Sequence, residues 1–311
     1  MTAPAEGPVG PRRASGGEVL LLVAALVLTP RLFVIAPLAG LLAAARPLSG
    51  RARFFAGLAA VLAAMGVAAA SGLLDQLIAA WAVLTAGAFA VLGWRGTVRA
   101  TFDRALAAVA IGAICTSALA ALQGVTWAGL ERYASRQLAD ALSTMLQAAG
   151  GDPQAVLALA PLQSQVSLLA ALLPAQLVLG QLLGCVLAWR WHEWTADQPM
   201  GPPAGRLADF RCSEGWVWVV IVALAAVLFG ATGAVWSGAA NALLVAAALF
   251  VVRGAAVVRS RLPPLGALAI VLYIIAVALL AVFVLAALLA LGLADNWYDF
   301  RRRTPGSSSR D

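Results

Sequence analysis

Long apolar runs recur along the whole chain. Seven of them have 17 residues or more and no charged side chain: 54–70, 76–94, 105–122, 165–189, 216–232, 235–252 and 264–293. A helix needs about 20 residues to cross the apolar core of a bilayer, which is roughly 30 Å thick. Together with the interrupted apolar region 19–45, the pattern predicts an all-α polytopic transmembrane helix bundle with about eight membrane segments.

The runs define one membrane domain flanked by two tails. Residues 1–17 are rich in Pro and Gly and are predicted to be disordered, 18–300 form a single transmembrane domain, and 301–311 are a polar, basic tail. The region 19–45 is broken by Pro30 and Pro37, so it is either one kinked crossing or a pair of half-helices. Because no short apolar stretch ends in a clean Ala-x-Ala-like site, we expect an uncleaved first membrane segment.

The charged residues exclude several classes of chemistry. Only 11% of residues are charged, against about 25% in soluble domains. All 21 basic residues are Arg, so a lysine Schiff base, a Ser-Lys dyad and a P-loop lysine are absent. With one His and no CxxC pair among three Cys, no metal site is indicated. We therefore predict no catalytic residues and no cofactor.

The arginines predict which loops face the cytoplasm. The loops 46–53, 95–104, 190–213 and 253–261 carry three arginines each, whereas the alternate loops carry two in total. The positive-inside rule places the first set in the cytoplasm, as expected for a protein of the bacterial cytoplasmic (inner) membrane. This placement explains the net charge of +7 better than nucleic-acid binding does.

Two regions do not fit this simple topology. The stretch 123–164 is amphipathic and charged, which predicts an extracytoplasmic insertion lying on the membrane face. If the run 264–293 crosses once, Arg301 to Arg303 lie outside, against the positive-inside rule. Either that run re-enters or the rule fails once.

Polar side chains within apolar runs are the candidates for ligand binding. At 100° per residue, Gln181 falls on the opposite face of its helix from Gln176. Amides at this depth need partners, so Gln176, Gln181 and, more weakly, Asn241 either bridge neighbouring helices or line a cavity for a small polar ligand. His192 is either an interfacial residue or a proton relay beside Glu193.

Small residues at helical spacing predict close helix packing. Gly180 and Gly184 form a GxxxG motif, and Ala36, Gly40 and Ala44 recur at every fourth position. Such a stripe packs against another helix of the same chain or forms a docking face for a partner protein. Both readings stay open at this point.

Several stretches resemble the YybS-like family of bacterial membrane proteins (domain of unknown function 2232). They are Pro30 to Arg46, LPAQLVLGQLLGCVLAWRWHEW at 173–194, NALLVAAALFVVRGAAVV at 241–258, and the closing LGLADNWYDFR at 291–301. The residues that match the family's closing signature are Gly292, Asp295, Asp299, Phe300 and Arg301. Since Asp295 and Arg301 are six positions apart, we expect them to have separate partners rather than to pair directly.

The resemblance implies a fold similar to the substrate-binding subunits of energy-coupling-factor transporters. The implied function is a non-enzymatic subunit that captures a small molecule of unknown identity and relies on another membrane protein for energy. The alternative is a structural or scaffold protein of envelope growth or sporulation-like processes. In both cases the expected partners are the lipid bilayer and other membrane proteins, with no nucleic acid.

Overall fold

A computed structural model describes residues 36–38, 41, 72–94, 101–148, 150, 161, 165–195, 203–262 and 279–301. Within these ranges the chain is helical apart from short connections, and no strand occurs. We number the long helices α1 Leu73–Trp94, α2 Thr101–Leu122, α3 Trp127–Ala148, α4 Leu173–Thr195, α5 Gly215–Leu228, α6 Gly233–Arg261 and α7 Ala281–Tyr298. A helical stretch 165–171 precedes α4, and a 3₁₀ turn Leu207–Asp209 precedes α5.

Among the described helices, five are long and apolar enough to cross a membrane, namely α1, α2, α4, α6 and α7. Helix α5 is apolar but has only 14 residues, because the chain turns at Gly230 and Gly233, whose φ angles are 76° and 59°. An all-α membrane bundle is thereby confirmed. The number eight stays a prediction, since 54–70 and most of 19–45 lie outside the described residues.

Two predicted boundaries were wrong. The loop predicted at 253–261 is the last part of α6, so Arg253 is a buried helical residue. The run 165–189 is interrupted at Leu172. Pro174 has no N–H and its ring crowds the preceding turn, which weakens the helix at this point.

The side chain of Asn241 in α6 repairs this interruption. Its Oδ1 accepts a hydrogen bond from the Ala175 N–H and its Nδ2 donates to the Ala171 carbonyl, both at 2.7 Å. Ala171 and Ala175 would bond to each other in a regular helix. The amide of Asn241 is thus inserted between them and satisfies both groups.

Helices α6 and α7 run in the same direction. Arg253 bonds to Asp295 and Arg261 bonds to the Phe300 carbonyl, so the two C-terminal ends lie side by side. At the crossing, a Cβ on Gly254 would overlap the Leu288 carbonyl, and one on Gly292 would overlap the Phe250 carbonyl. This symmetric contact is possible only because both residues are glycine, the small residue that allows close helix approach in membranes.

The helix directions place three of the arginine-bearing segments at one end of the bundle, which we call the basic end. Helices α4 and α6 are also parallel, since Ser237 bonds to Ala171 and Asn241 to Ala175. Helix α2 begins at this end, where Phe102 packs against Phe210 with ring centroids 5.0 Å apart. Of the described arginines, eight lie at the basic end. They are Arg104, Arg190, Arg206, Arg211, Arg253, Arg259, Arg261 and Arg301.

Helix α3, the described helix of the amphipathic region, lies at the other end. Helix α3 packs near the start of α1, where Ala134 joins Leu74 and Ala170 in one apolar cluster. The only other two described arginines, Arg132 and Arg136, are on this helix. The parallel α6–α7 pair also removes the misfit at the C-terminus. Arg301 lies at the basic end with Arg253, on the same side as the other arginine-bearing segments.

We expect single cysteines at the two ends to label differently. In a variant lacking the three native cysteines, Ser143→Cys on α3 should react with an impermeant thiol reagent in intact cells. Ser260→Cys at the end of α6 should react only after lysis, because the positive-inside rule predicts that the basic end faces the cytoplasm. Both positions are exposed in the structure. Equal labelling of the two variants in intact cells would contradict this orientation.

The crossing of α6 and α7 should be intolerant of a single methyl group. Gly254→Ala or Gly292→Ala forces the helices apart and should lower the free energy of unfolding by about 1–3 kcal/mol. Gly238→Ala is the matched control on α6, because a Cβ there meets no atom within 4 Å. It should be neutral or slightly stabilising. Thermal unfolding in detergent measures all three, and equal stabilities would show that the crossing can relax.

Candidate functional site

The buried carboxylate of Asp295 is the centre of a charged cluster at the basic end, which we call the Asp295 clasp (Asp295, Arg253 and Arg301). Its Oδ2 accepts hydrogen bonds from Arg253 Nε and Arg301 Nη2, both at 2.9 Å. Its Oδ1 accepts one from the Phe300 N–H at 3.0 Å. Asp295 is 1% exposed, and both of its oxygens are bonded within the protein.

The end of α7 explains how Arg301 reaches Asp295. The helix stops at Tyr298, and Asp299 adopts the left-handed conformation with φ 37° and ψ 61°. Asp is one of the few residues other than Gly that enter this region readily. The chain therefore folds back, and Arg301 meets a residue one turn inside the helix. The expectation that Asp295 and Arg301 would not pair was wrong, because it assumed that the helix continues to Arg301.

The two arginines of the clasp connect three parts of the chain. Arg253 on α6 donates to Asn296 Oδ1 at 2.8 Å and to the Asp295 carbonyl at 3.0 Å. Arg301 donates to the carbonyls of Ala208 and Phe210 in the segment before α5, at 3.0 and 2.8 Å. The clasp thus joins α6, α7 and that segment. Since its carboxylate is fully used internally, we interpret the clasp as structural rather than as a ligand site.

The signature residues from the sequence are brought together here, and two more that the sequence did not point to join them. Gly292 is at the helix crossing, and Asp299 forms an ion pair with Arg211 at 3.4 Å. Arg253 was counted as a loop arginine, and Gly254 was not singled out. An arginine directly after one apolar run and a carboxylate directly after another are the signal that could have identified the pairing of Arg253 with Asp295.

A second cluster surrounds the buried indole of Trp189, and we call it the Trp189 cluster (Trp189, Arg104, His192 and Glu193). The Arg104 Cζ lies 4.2 Å from the ring centroid, and the His192 ring centroid lies 5.9 Å away. The indole N–H donates to Glu193 Oε1 at 2.9 Å. That oxygen also accepts a hydrogen bond from the Ala204 N–H.

The Trp189 cluster leaves several buried polar atoms unpaired. Within the described ranges, Arg104 Nε and Nη1 and both ring nitrogens of His192 are buried without a hydrogen-bond partner. His192 is therefore not bonded to Glu193, which the predicted proton relay requires. Earlier in α4, the amide of Gln181 is also buried, and neither its oxygen nor its nitrogen has a partner among the described residues. The sequence analysis did not identify Arg104 as a candidate site residue, because it used this arginine only to predict which loops face the cytoplasm.

The structure separates the other predicted site residues. Gln176 is exposed, whereas Gln181 is 2% exposed, as their opposite helix faces predicted. Asn241 uses its amide to repair the break at Leu172. The ligand-binding role of all three stays a prediction.

The predicted packing stripes are described only in part. Gly184 is buried and Gly180 is half-buried. Ala36 is 6% exposed, while Gly40 and Ala44 lie outside the described residues. In the described part of the chain no group of three or more His, Cys, Asp or Glu residues is placed to hold a metal ion.

Removing the charge of Asp295 should strongly destabilise the bundle. Asp295→Asn keeps the shape but leaves Arg253 and Arg301 without their counter-charge, which costs about 3–5 kcal/mol for a buried pair. Asp299→Asn is the matched control, because its partner Arg211 is about half exposed. Such a surface pair contributes about 0.2–1 kcal/mol. Unfolding in detergent measures the stability of both variants. A similar loss of unfolding free energy in the two would show that Asp295 is not central to the stability of the bundle.

Comparison with known proteins identifies the family. A family described as "Predicted membrane protein (DUF2232)" matches residues 19–296. No curated protein and no solved structure matches the chain. The matched range includes all seven numbered helices except the last two residues of α7. It also includes Gly254, Gly292 and Asp295, the residues that form the α6–α7 contact. The chain therefore belongs to the DUF2232 family of membrane proteins.

Proposed function

We propose that the protein is a non-enzymatic, multi-pass protein of the bacterial cytoplasmic membrane that captures a small polar molecule within its helix bundle. The observation that carries this proposal is the amide of Gln181. It is 2% exposed, and within the described residues neither its oxygen nor its nitrogen has a hydrogen-bond partner. An unsatisfied buried polar group costs about 1–3 kcal/mol, so a ligand that pairs with the amide is favoured there.

The amide of Asn241 differs from that of Gln181 in having its hydrogen bonds satisfied. Both residues carry an amide on a membrane-crossing helix, but the amide of Asn241 is fully used by Ala171, Ala175 and Ser237. Helix bridging explains Asn241 completely. The same explanation is not available for Gln181, whose amide bridges nothing among the described residues.

Dependence on a partner protein is part of the proposal and rests on resemblance. The YybS-like signature and the similarity to energy-coupling-factor substrate-binding subunits favour a capture protein that another membrane protein drives. The chemistry of Gln181 points to a ligand with both hydrogen-bond donors and acceptors, because a carboxamide offers both.

A structural or scaffold role in envelope growth is the second candidate, and α7 favours it. Only Gly292 and Asp295 are buried on this helix. Apolar side chains such as Val282 and Phe283 are 77% and 75% exposed. In the membrane such a face is covered either by lipid chains or by a helix of another membrane protein, and the second case corresponds to a scaffold role.

Substitution of Gln181 tests the capture function. Wild-type protein purified in mild detergent should carry a small molecule that native mass spectrometry detects as added mass. In Gln181→Leu the fraction of protein that carries this molecule should fall at least tenfold, since one or two hydrogen bonds to the ligand disappear. Without ligand the variant should be as stable as the wild type or more stable, because an unsatisfied amide is replaced by an apolar side chain.

Gln176→Leu is the matched control, because Gln176 is an exposed amide on the same helix. It should retain the bound molecule. If the wild type carries no small molecule and other membrane proteins co-purify with it, the capture function is rejected and the scaffold function is supported. Equal occupancy in wild type and Gln181→Leu would remove Gln181 from the site.

A further inference from the structure

Arg104 has an orientation that its position on the helix does not require. It lies in the first turn of α2, at the basic end of the bundle. An arginine near a helix end in a membrane usually extends its long side chain toward water and lipid headgroups. Arg104 instead points inward, is 1% exposed, and stacks over the indole of Trp189 with Cζ 4.2 Å from the ring centroid.

The hydrogen bonds of Arg104 do not account for this burial. Its Nη2 donates to the Thr101 hydroxyl at 3.3 Å, while Nε and Nη1 have no partner in the described part of the chain. The carboxylate of Glu193 is close by in the Trp189 cluster, but its Oε1 is used by Trp189 and Ala204. Its Oε2 lies 3.9 Å from Arg190 Nη1.

His192 adds a second unsatisfied group against the same indole ring. It is fully buried, and neither ring nitrogen has a partner among the described residues. A buried guanidinium with two unpaired nitrogens and a buried imidazole with none of its nitrogens paired are costly, and apolar side chains of similar volume would be more stable in their place. What the site lacks is an acceptor with several oxygen atoms.

We infer that Arg104 and His192 form a binding site for a phosphate group at the basic end of the bundle. Guanidinium and imidazole N–H groups are strong donors to phosphate oxygens, and the neighbouring Thr101 hydroxyl extends the same donor set. The unpaired atoms have no exposed surface, so binding displaces adjoining side chains locally. The phosphate comes either from inorganic phosphate in solution or from a phospholipid headgroup.

This site is separate from the proposed capture site. Gln181 and His192 are eleven positions apart on α4, which is about 16 Å along a helix axis. An amide inside the bundle and a cationic pair at its basic end suit different chemistry. Loss of ligand in Gln181→Leu and loss of phosphate binding at Arg104 are therefore distinguishable results.

Arg104→Met tests the phosphate site. In delipidated detergent solution, inorganic phosphate should raise the unfolding temperature of the wild type, whereas chloride at the same ionic strength should not. In Arg104→Met the concentration of phosphate needed for half of this rise should increase at least tenfold. Without phosphate, the variant should be as stable as the wild type or more stable. Arg259→Met, which removes an exposed arginine at the same end, should change the phosphate requirement less than twofold.

Two further measurements complete the test. If Arg104→Met does not fold, His192→Leu replaces it, with an expected increase of at least threefold in the phosphate requirement. If only reconstitution into phosphatidylglycerol bilayers, and not phosphatidylcholine bilayers, stabilises the wild type in an Arg104-dependent manner, the source is a lipid headgroup. If neither phosphate nor phosphatidylglycerol stabilises the wild type, or if the variants respond as the wild type does, the inference is overturned.

Discussion

The backbone contact between α6 and α7 is the constraint on which the described C-terminal half depends. In lipid there is no hydrophobic force between helices, so close packing and hydrogen bonds must hold them together. Gly254 and Gly292 allow each helix to meet a carbonyl of the other. The Asp295 clasp joins the same two helices beside this contact and adds the segment before α5. Because the pair is parallel, Arg301 lies with the other basic segments.

The arrangement of elements could largely be read from the sequence, because lipid permits few alternatives. Apolar length identifies α1, α2, α4 and α6, and the arginine bias separates the two ends of the bundle. The direction of α7 could not be read in this way. It depends on Asp295 pairing with Arg253, 42 positions earlier in the chain, and hydropathy does not record which distant charges pair. For the same reason, α6 continues past its apolar run, since Arg253 is neutralised inside the bundle rather than solvated in a loop.

Polar residues of the bundle fall into two kinds that look alike in the sequence. Asp295 and Asn241 have all their side-chain oxygen and nitrogen atoms bonded within the protein, in each case partly to another helix, which explains them as parts of the fold. Arg104 and Gln181 are buried with donors or acceptors unused. From the sequence, Gln181 was a candidate for ligand binding and Arg104 was not, since an arginine beside an apolar run is expected to indicate topology. The distinction needs three-dimensional contacts, because it concerns what surrounds a side chain rather than its depth along a helix.

The repair of α4 by Asn241 has a mechanical consequence. At Leu172 the helix is joined partly through a side chain that belongs to α6, not only through its own backbone. Movement of α6 along its axis therefore acts directly on the Ala171 carbonyl and the Ala175 N–H. The stretch 165–171 packs through Ala170 against Leu74 and Ala134 at the far end of the bundle. A displacement of α6 that begins at the basic end can therefore be transmitted along the length of this helix to the opposite face of the membrane.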